Sequence, residues 1–260
     1  MRLCVLGSGS SGNCIYAGTA STGLLIDAGL SARETLRRFE AMTIDPAAIR
    51  AVLLTHEHSD HIAGLAVLRK RLGADLYANS PTAEAVEQAL GRPGLAWKVY
   101  ATGFPFQVGD VTVEPFSVCH DAQEPVGFVI AADGVRVGVA TDLGMATTLV
   151  REKFRDCHAL ILEANHDERL LREANRPWSL KQRIAGRQGH LSNRLAAELL
   201  VECAGPALTH VFLAHLSSEC NRPELAAAAA GEALRSLGLQ HVRVATTYAD
   251  RPSDVWTSAP

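Results

Sequence analysis

The chain has 260 residues, 47% hydrophobic and 20% charged, which supplies a sizeable core and excludes a disordered chain. A formal net charge of -3 and an aromatic content of 5% exclude a global basic field and argue against a surface built for stacking bases. Six cysteines stand at 4, 14, 119, 157, 203 and 220 with no C-x-x-C pair, so they read as buried free thiols in a reducing compartment, not as a disulfide framework. The opening stretch MRLCVLGSGS lacks the apolar run of a secretion signal, and nothing approaches the roughly 20 apolar residues of a membrane span. The expectation is a cytoplasmic protein without a membrane segment, folded as one domain over residues 1–260. Against this plain background stand ten histidines.

In chain order, Arg2–Leu6, Asn13–Ala17 and Leu24–Asp27 read as short strands separated by Gly/Ser/Thr turns. Ser31 and Glu34 form a capping box that opens a helix to about Ala41. Ala51–Leu54 is an apolar strand, Ile62–Leu72 a helix ending at Gly73, and Ser80-Pro81 the start of another. Residues 96–140 read as strands. Val111–Val118 alternates, and Val126–Ala131 and Val135–Ala140 flank Asp133-Gly134, a hairpin signal. A helix near Thr147–Phe154 precedes the buried strand Ala159–Glu163. The last third alternates helix Ser192–Cys203, strand His210–Ala214, helix Pro223–Leu237 and strand Val242–Thr247. Early strands followed by mixed elements predict two sheets covered by helices.

Gly7-Ser-Gly9-Ser-Ser-Gly12 fits the dinucleotide fingerprint G-x-G-x-x-G, with Asp27 twenty positions on. That fingerprint needs a helix directly after the glycines to hold the pyrophosphate. Asn13 to Gly23, with Gly18, Gly23 and β-branched residues, reads as a hairpin instead.

Thr55-His56-Glu57-His58-Ser59-Asp60-His61 follows an apolar strand and places four potential metal ligands within six residues. Histidine and aspartate are expensive to bury without partners, so packing does not explain the cluster. Residues alternate sides in an extended loop, which sends His56 and His58 toward one metal and Asp60 and His61 toward a second. Imidazole with carboxylate suits zinc, manganese or iron.

T-H-x-H-x-D-H after a strand resembles the metallo-β-lactamase superfamily of hydrolases. Asp27 in Leu-Leu-Ile-Asp, His120 in Ser-Val-Cys-His, Asp142 in Val-Ala-Thr-Asp and His215 in Leu-Ala-His match its remaining motifs in order, so the resemblance runs from about residue 2 to 216. It implies an α+β, four-layer αββα sandwich with the site where strand-end loops converge. It also implies two divalent ions per chain, zinc first, with manganese or iron also accommodated. The first takes His56, His58 and His120, the second Asp60, His61 and His215, and Asp142 bridges them. Asp27 orients a ligand imidazole from behind, and a hydroxide shared by the ions is the nucleophile.

Other segments address the substrate. The N-terminal Gly-Ser-Gly-Ser-Ser-Gly-Asn, Glu163-Ala-Asn-His166-Asp, Gly189-His190-Leu-Ser192-Asn193 and Ala-His215-Leu-Ser are similar to the YycJ/WalJ (VicX) group, described as exonuclease-like and related to ribonuclease Z. That resemblance gives His190 a catalytic role beside the metals with Glu163 as its acidic partner, and leaves His166 open between site and surface. His158, His210 and His241 read as structural or surface residues. Ser192 reads as an N-cap, so the His190 loop abuts a helix N-terminus, a natural phosphate site. Arg187, Ser192, Asn193 and Asn13 are the expected substrate contacts. Ser8 and Ser10 also lie in the first Gly/Ser loop, where turn chemistry is the plainer reading. From Arg169 to Arg194, seven basic residues face Glu173 alone, a local +6 suited to phosphates; Trp178 in that run reads as packed. No insertion matches the tRNA-gripping arm of ribonuclease Z, and the β-CASP domain of larger nucleases is absent between Asp142 and Ser192. The function expected is therefore phosphodiester hydrolysis on DNA or oligonucleotides. The rivals are a lactonase or thioesterase on small esters, and a non-enzymatic metal-binding regulatory protein.

Overall fold

A computed structural model describes residues 1–258. The first half builds one sheet and its cover. Strands β1 (Arg2–Gly7), β2 (Cys14–Gly18) and β3 (Gly23–Ile26) precede helix α1 (Ala32–Ala41) and strand β4 (Ile49–Leu53). Helices α2 (Ser59–Ile62) and α3 (Leu65–Leu72), strand β5 (Asp75–Ala78), helix α4 (Ser80–Leu90) and strand β6 (Trp97–Val99) follow. Strands β7 (Phe106–Val108), β8 (Val111–Ser117), β9 (Val126–Ala132) and β10 (Val135–Ala140) begin the second sheet. Then come α5 (Thr148–Phe154), β11 (Ala159–Glu163), α6 (Glu168–Glu173), α7 (Trp178–Ile184), α8 (Asn193–Cys203), β12 (His210–Ala214), α9 (Pro223–Ser236), β13 (Arg243–Thr246) and β14 (Trp256–Thr257).

The strands form two seven-stranded sheets, ordered β14-β1-β2-β3-β4-β5-β6 and β13-β12-β11-β10-β9-β8-β7. Both are mixed, with parallel pairs β3–β4 and β10–β11–β12 at their centres. Central strands are buried on both faces, so they read as continuous apolar runs. Side-chain alternation then divides each strand between two cores. Leu3 and Val5 of β1 and Ala159 and Ile161 of β11 fill the core between the sheets, with Phe128 and Phe212. Cys4 and Leu6 turn to the layer under α1, α3 and α4, while Leu160 and Leu162 turn to the layer under α5, α8 and α9. The αββα sandwich is thus three apolar layers between four layers of elements.

Most expected elements are present with small shifts of boundary. Ser31 caps α1 as expected, accepting from the Glu34 amide, but Glu34 turns its carboxylate to Arg37 and Arg38 instead of closing the capping box. Ala132 and Val135 pair around Asp133-Gly134. The helix expected over Ile62–Leu72 is instead two, α2 and α3, broken at Gly64. A Cβ at Gly64 would lie 1.8 Å from the Leu30 carbonyl oxygen, so the chain can cross there only as glycine. After Gly7-Ser-Gly-Ser-Ser-Gly12 the chain enters β2, not a helix, so no helix N-terminus is offered to a pyrophosphate. Among the described residues no helix is long and apolar enough to cross a membrane.

Candidate metal centre

The two sheets bring the C-terminal ends of β1, β3, β4, β8, β10, β11 and β12 to one edge. The loops leaving those ends carry Ser8, Asp27, His56 to His61, His120, Asp142 and His215, and Glu163 closes β11 itself. Three of these residues sit in the left-handed region: Asp27 (φ 63°), Asp142 (φ 56°) and His215 (φ 57°). Such a backbone costs about 1–3 kcal/mol per residue and persists where the surroundings over-determine it. Here it turns the chain sharply at three strand ends. The expected extended run from His56 to His61 is only half present: it stops at His58, which is followed by α2, so Asp60 and His61 point from a helical turn.

Four groups of donors converge, each with its ligand atoms within 4.8 Å of one another. His56, His58 and His120 form one. Asp60, His61 and His215 form another, His56, His61 and Asp142 a third, and Asp142, Glu163, His190 and His215 a fourth. Asp142 Oδ2 lies 3.2 Å from His61 Nε2, while Oδ1 lies 3.5 Å from His215 Nε2 and 3.9 Å from His120 Nε2.

The outer hydrogen bonds decide which nitrogen of each ring is left over. His61 Nδ1 donates to Asp27 Oδ2 at 2.8 Å. His120 Nδ1 donates to the Gly189 carbonyl at 3.0 Å, and His56 Nδ1 to the Thr55 hydroxyl at 2.9 Å, which itself donates to Asp27. Each neutral ring then presents an Nε2 lone pair inward. His61 Nε2 faces a carboxylate oxygen 3.2 Å away, and His120 Nε2 faces His58 Nδ1 at 3.3 Å. Two acceptors held this close require a shared proton or a cation. His56 Nε2 and Asp142 Oδ2 are buried with no hydrogen-bond partner. These orphaned atoms fit divalent metal ions, for which imidazole and carboxylate are suitable ligands.

The metal-free charges tell the same story. Burial disfavours the His61 cation, but Asp27 and Asp142 outweigh it and lift the pKa to about 10. Burial likewise opposes, and Asp142, Asp60 and Glu163 overcome, so His215 is raised well above the ordinary histidine range. Asp142 stays ionised despite its burial because His215 and His61 hold it well below the usual carboxylate range. His56, with burial dominant, is pushed well down and is neutral. The carboxylates that would hold cations thus also favour protons on His61 and His215.

Beside the donors stands a second device. His190 Nδ1 donates to Glu163 Oε1 at 2.7 Å, and His215 Nδ1 lies 3.3 Å from the same oxygen. Glu163 Oε2 accepts from the Leu143 and Leu191 amides. Burial opposes its charge, yet the His190 cation and the hydrogen bonds from His190 and His215 bring its pKa down to about 2. The His190 pKa is raised, burial opposing and Glu163 prevailing. One fully buried carboxylate therefore ties together the loops of Asp142, His190 and His215.

The expected substrate contacts fare differently. Ser192 is buried, caps α8 by accepting from the Leu195 amide, and donates to Glu168, so the α8 N-terminus is not an open phosphate site. Asn193 is buried and exchanges hydrogen bonds with Asn221. Asn13 is buried, and its Nδ2 lies 3.1 Å from Asp60 Oδ2 and 3.0 Å from His61 Nε2, so it turns toward the donors and supports them. Ser8 accepts from the His215 amide. Arg187 alone of the four is exposed, with Nε 3.4 Å from Met145 Sδ. The basic run is partly balanced by acids from other segments: Arg176 pairs with Glu219, Arg183 with Asp121, and Arg194 with Glu168 and Glu198. Trp178 is not packed but 66% exposed. His166 is buried with Nδ1 unpartnered. His158, His210 and His241 lie outside the donor groups: His158 contacts Arg136 and Thr209, His210 packs on Phe212, and His241 meets the Leu208 carbonyl.

Sequence reasoning passed over four supports. Thr55 links Asp27 to His56, Asn165 donates to the His215 carbonyl, and the Gly189 carbonyl orients His120. Gly29 lets the Asp60 loop close in, since a Cβ there would lie 1.6 Å from the Asp60 carbonyl oxygen. Thr55 opens the histidine motif and was the one findable signal; the others depend on distant segments meeting.

The model of the β-lactamase superfamily domain matches residues 22–215. The chain is 36% identical to the exodeoxyribonuclease YycJ of Bacillus anthracis, over 92% of this chain and 90% of the relative. It is 38% identical to the exodeoxyribonuclease WalJ of Streptococcus pneumoniae, over 85% and 84%. The crystal structure of the metallo-β-lactamase fold protein YhfI from Bacillus subtilis superposes with a TM-score of 0.72 at 18% identity, covering 98% of each chain. The chain is a metal-dependent hydrolase that belongs to the β-lactamase superfamily and, within it, to the family of the YycJ and WalJ exodeoxyribonucleases.

Proposed function

We propose that the chain is an exonuclease that hydrolyses phosphodiester bonds at the ends of DNA or oligonucleotides with two divalent ions, zinc first and manganese or iron as substitutes. The observation that carries the substrate class is the match over 85–92% of the chain to relatives named exodeoxyribonuclease. His56, His58 and His120 would hold one ion and Asp60, His61 and His215 the other, with Asp142 between them. Bound there, the ions supply a water acidified toward neutrality and positive charge for the phosphoryl oxygens.

The chain's own residues do the rest. Asp27 fixes the tautomer of His61, as a carboxylate behind a ligand histidine does. Glu163 keeps a proton on His190 Nδ1 and holds the ring at the rim, 21% exposed. From there His190 donates a hydrogen bond to a phosphate oxygen or a proton to the leaving oxygen. Both sheets contribute to this one site, so we assign residues 1–260 to one domain. Six free cysteines, five of them buried, fit a reducing cytoplasm.

The test is metal analysis coupled to degradation of end-labelled linear DNA and RNA, with closed circular DNA as control. Loss of label from linear DNA that stops with a chelator, while circles survive, is the expected result. Turnover of thioesters or lactones with intact DNA ends would overturn the reading.

A further inference from the structure

A cavity of about 430 Å³ opens beside His190. Its wall joins the metal centre at three points. Asn165 donates to the His215 carbonyl, the Gly189 carbonyl accepts from His120, and Asp121 directly follows His120. The other side is the α6–α7 flap, which contributes Arg176, Arg183, Leu180 and Ile184. Leu180, Arg183 and Ile184 lie on one face of α7 by helical spacing, and Trp178 lies on the other.

Two ion pairs latch the flap to the donor loops. Arg176 Nε reaches Glu219 Oε2 at 2.8 Å, on the loop after His215. Arg183 grips Asp121 Oδ2 with two nitrogens, at 2.7 and 2.6 Å, on the loop after His120. Both pairs are wet: the side chains are 31% and 62% exposed in the first, 65% and 28% in the second. Exposed pairs of this kind are weak and readily exchanged. An arginine fork binds phosphate at least as well as carboxylate, because the planar donors match two oxygens at once.

We propose that this cavity seats the terminal phosphorylated nucleotide of a DNA end, with Arg176 and Arg183 leaving Glu219 and Asp121 for its phosphate oxygens. The proposal rests on the nuclease reading above. At about 430 Å³ the cavity has room for a single nucleotide. Leu180 and Ile184 offer an apolar surface to the base or sugar, and the hydroxyls of Ser10 and Ser217 offer polar contacts. The two ion pairs hold the flap against both donor loops beside the cavity. The two carboxylates act as occupants that the phosphate displaces, and they keep the arginines neutralised until an end arrives.

The test uses the metal-loaded protein, with thymidine 5′-monophosphate as the binding probe and 5′-phosphorylated linear DNA as substrate. Arg176→Ala and Arg183→Ala should each weaken calorimetric binding of the mononucleotide about tenfold and raise KM for DNA in parallel, with metal content retained. Glu219→Gln removes a competitor and should tighten both by a few fold. A latch that is merely structural gives the opposite sign, because Glu219→Gln would then weaken binding as Arg176→Ala does. Unchanged mononucleotide affinity in both arginine variants overturns the proposal and leaves the nuclease reading standing if the parent still degrades DNA ends. Arginine-dependent mononucleotide binding by a protein that degrades no DNA keeps the cavity as a nucleotide site and removes the nuclease reading.

Discussion

The donor loops and the segment from Asn165 to Arg194 meet at His190 and are built on different principles. The donor loops are buried, strained and doubly supported: His61, for example, is fully buried and hydrogen-bonded behind by Asp27. The α6–α7 flap is exposed, made of helices of six and seven residues, and held partly by surface ion pairs. Chemistry needs donor atoms held to a fraction of an ångström, whereas admitting a polymer end needs a wall that can change partners. The difference teaches which substitutions should abolish turnover and which should only tune it.

Asp142→Ala attacks the most constrained point, where the donor groups adjoin, and should lose metal at one or both positions with no measurable turnover. Retention of two metals and activity would sink the ligand assignment. His190→Ala, at the border between the two regions, should keep its metal and lose roughly 10²- to 10⁴-fold in phosphodiesterase rate; an unchanged rate makes His190 an ordinary loop residue. Asp27→Ala leaves every proposed ligand in place but unties His61, so metal affinity should fall about 10- to 100-fold. A competition titration with a chelating dye measures this, and an affinity equal to the parent's removes Asp27 from the support of the site.

The smallest effect separates the regions by pH. In metal-stripped protein His61 titrates near 10, above the unfolded value of 6.5, and His215 is also raised. A raised cation contributes stability that is complete below the unfolded pKa and disappears as pH climbs through the folded one. The melting temperature of the stripped protein should therefore fall between about pH 7 and 10. The buried thiols reinforce the trend at its alkaline end: Cys157 and Cys203 are pushed up to about 12 by burial and stay neutral while unfolded thiols ionise. Metal displaces the imidazole protons, so loading at pH 7 should release protons, seen as buffer-dependent heats in calorimetry. A stripped protein whose melting temperature is flat or rises to pH 10 contradicts the charge distribution described here.

The donor half was legible because its signals are local. Thr55 to His61 lie within seven positions, and each remaining donor follows an apolar strand that alternation and β-branching mark out. The two-faced burial of β1 and β11 wrote itself as continuous apolar runs, which is why the layers were readable. The flap was not legible. Ser192 and Asn193 carry phosphate-friendly side chains in a suggestive loop, yet they cap α8 and bond Asn221. Neither Glu219 nor Asp121 lies in the basic run, so no window of sequence could show that Arg176 and Arg183 were already paired. Trp178 lies on the face of α7 opposite Leu180, Arg183 and Ile184, a placement that no local signal specifies.

By itself the sequence determined which atoms are chemically able to hold metal, and in what order along the chain they arrive, because ligand identity and strand-end position are local properties. Only the tertiary structure decided which nitrogen of each histidine faces inward, which carboxylate serves His190, and which arginines line the cavity. Those choices rest on hydrogen bonds between residues far apart in the chain, such as His120 to Gly189, 69 positions on, and such bonds exist only once both sheets have brought their strand ends to one edge.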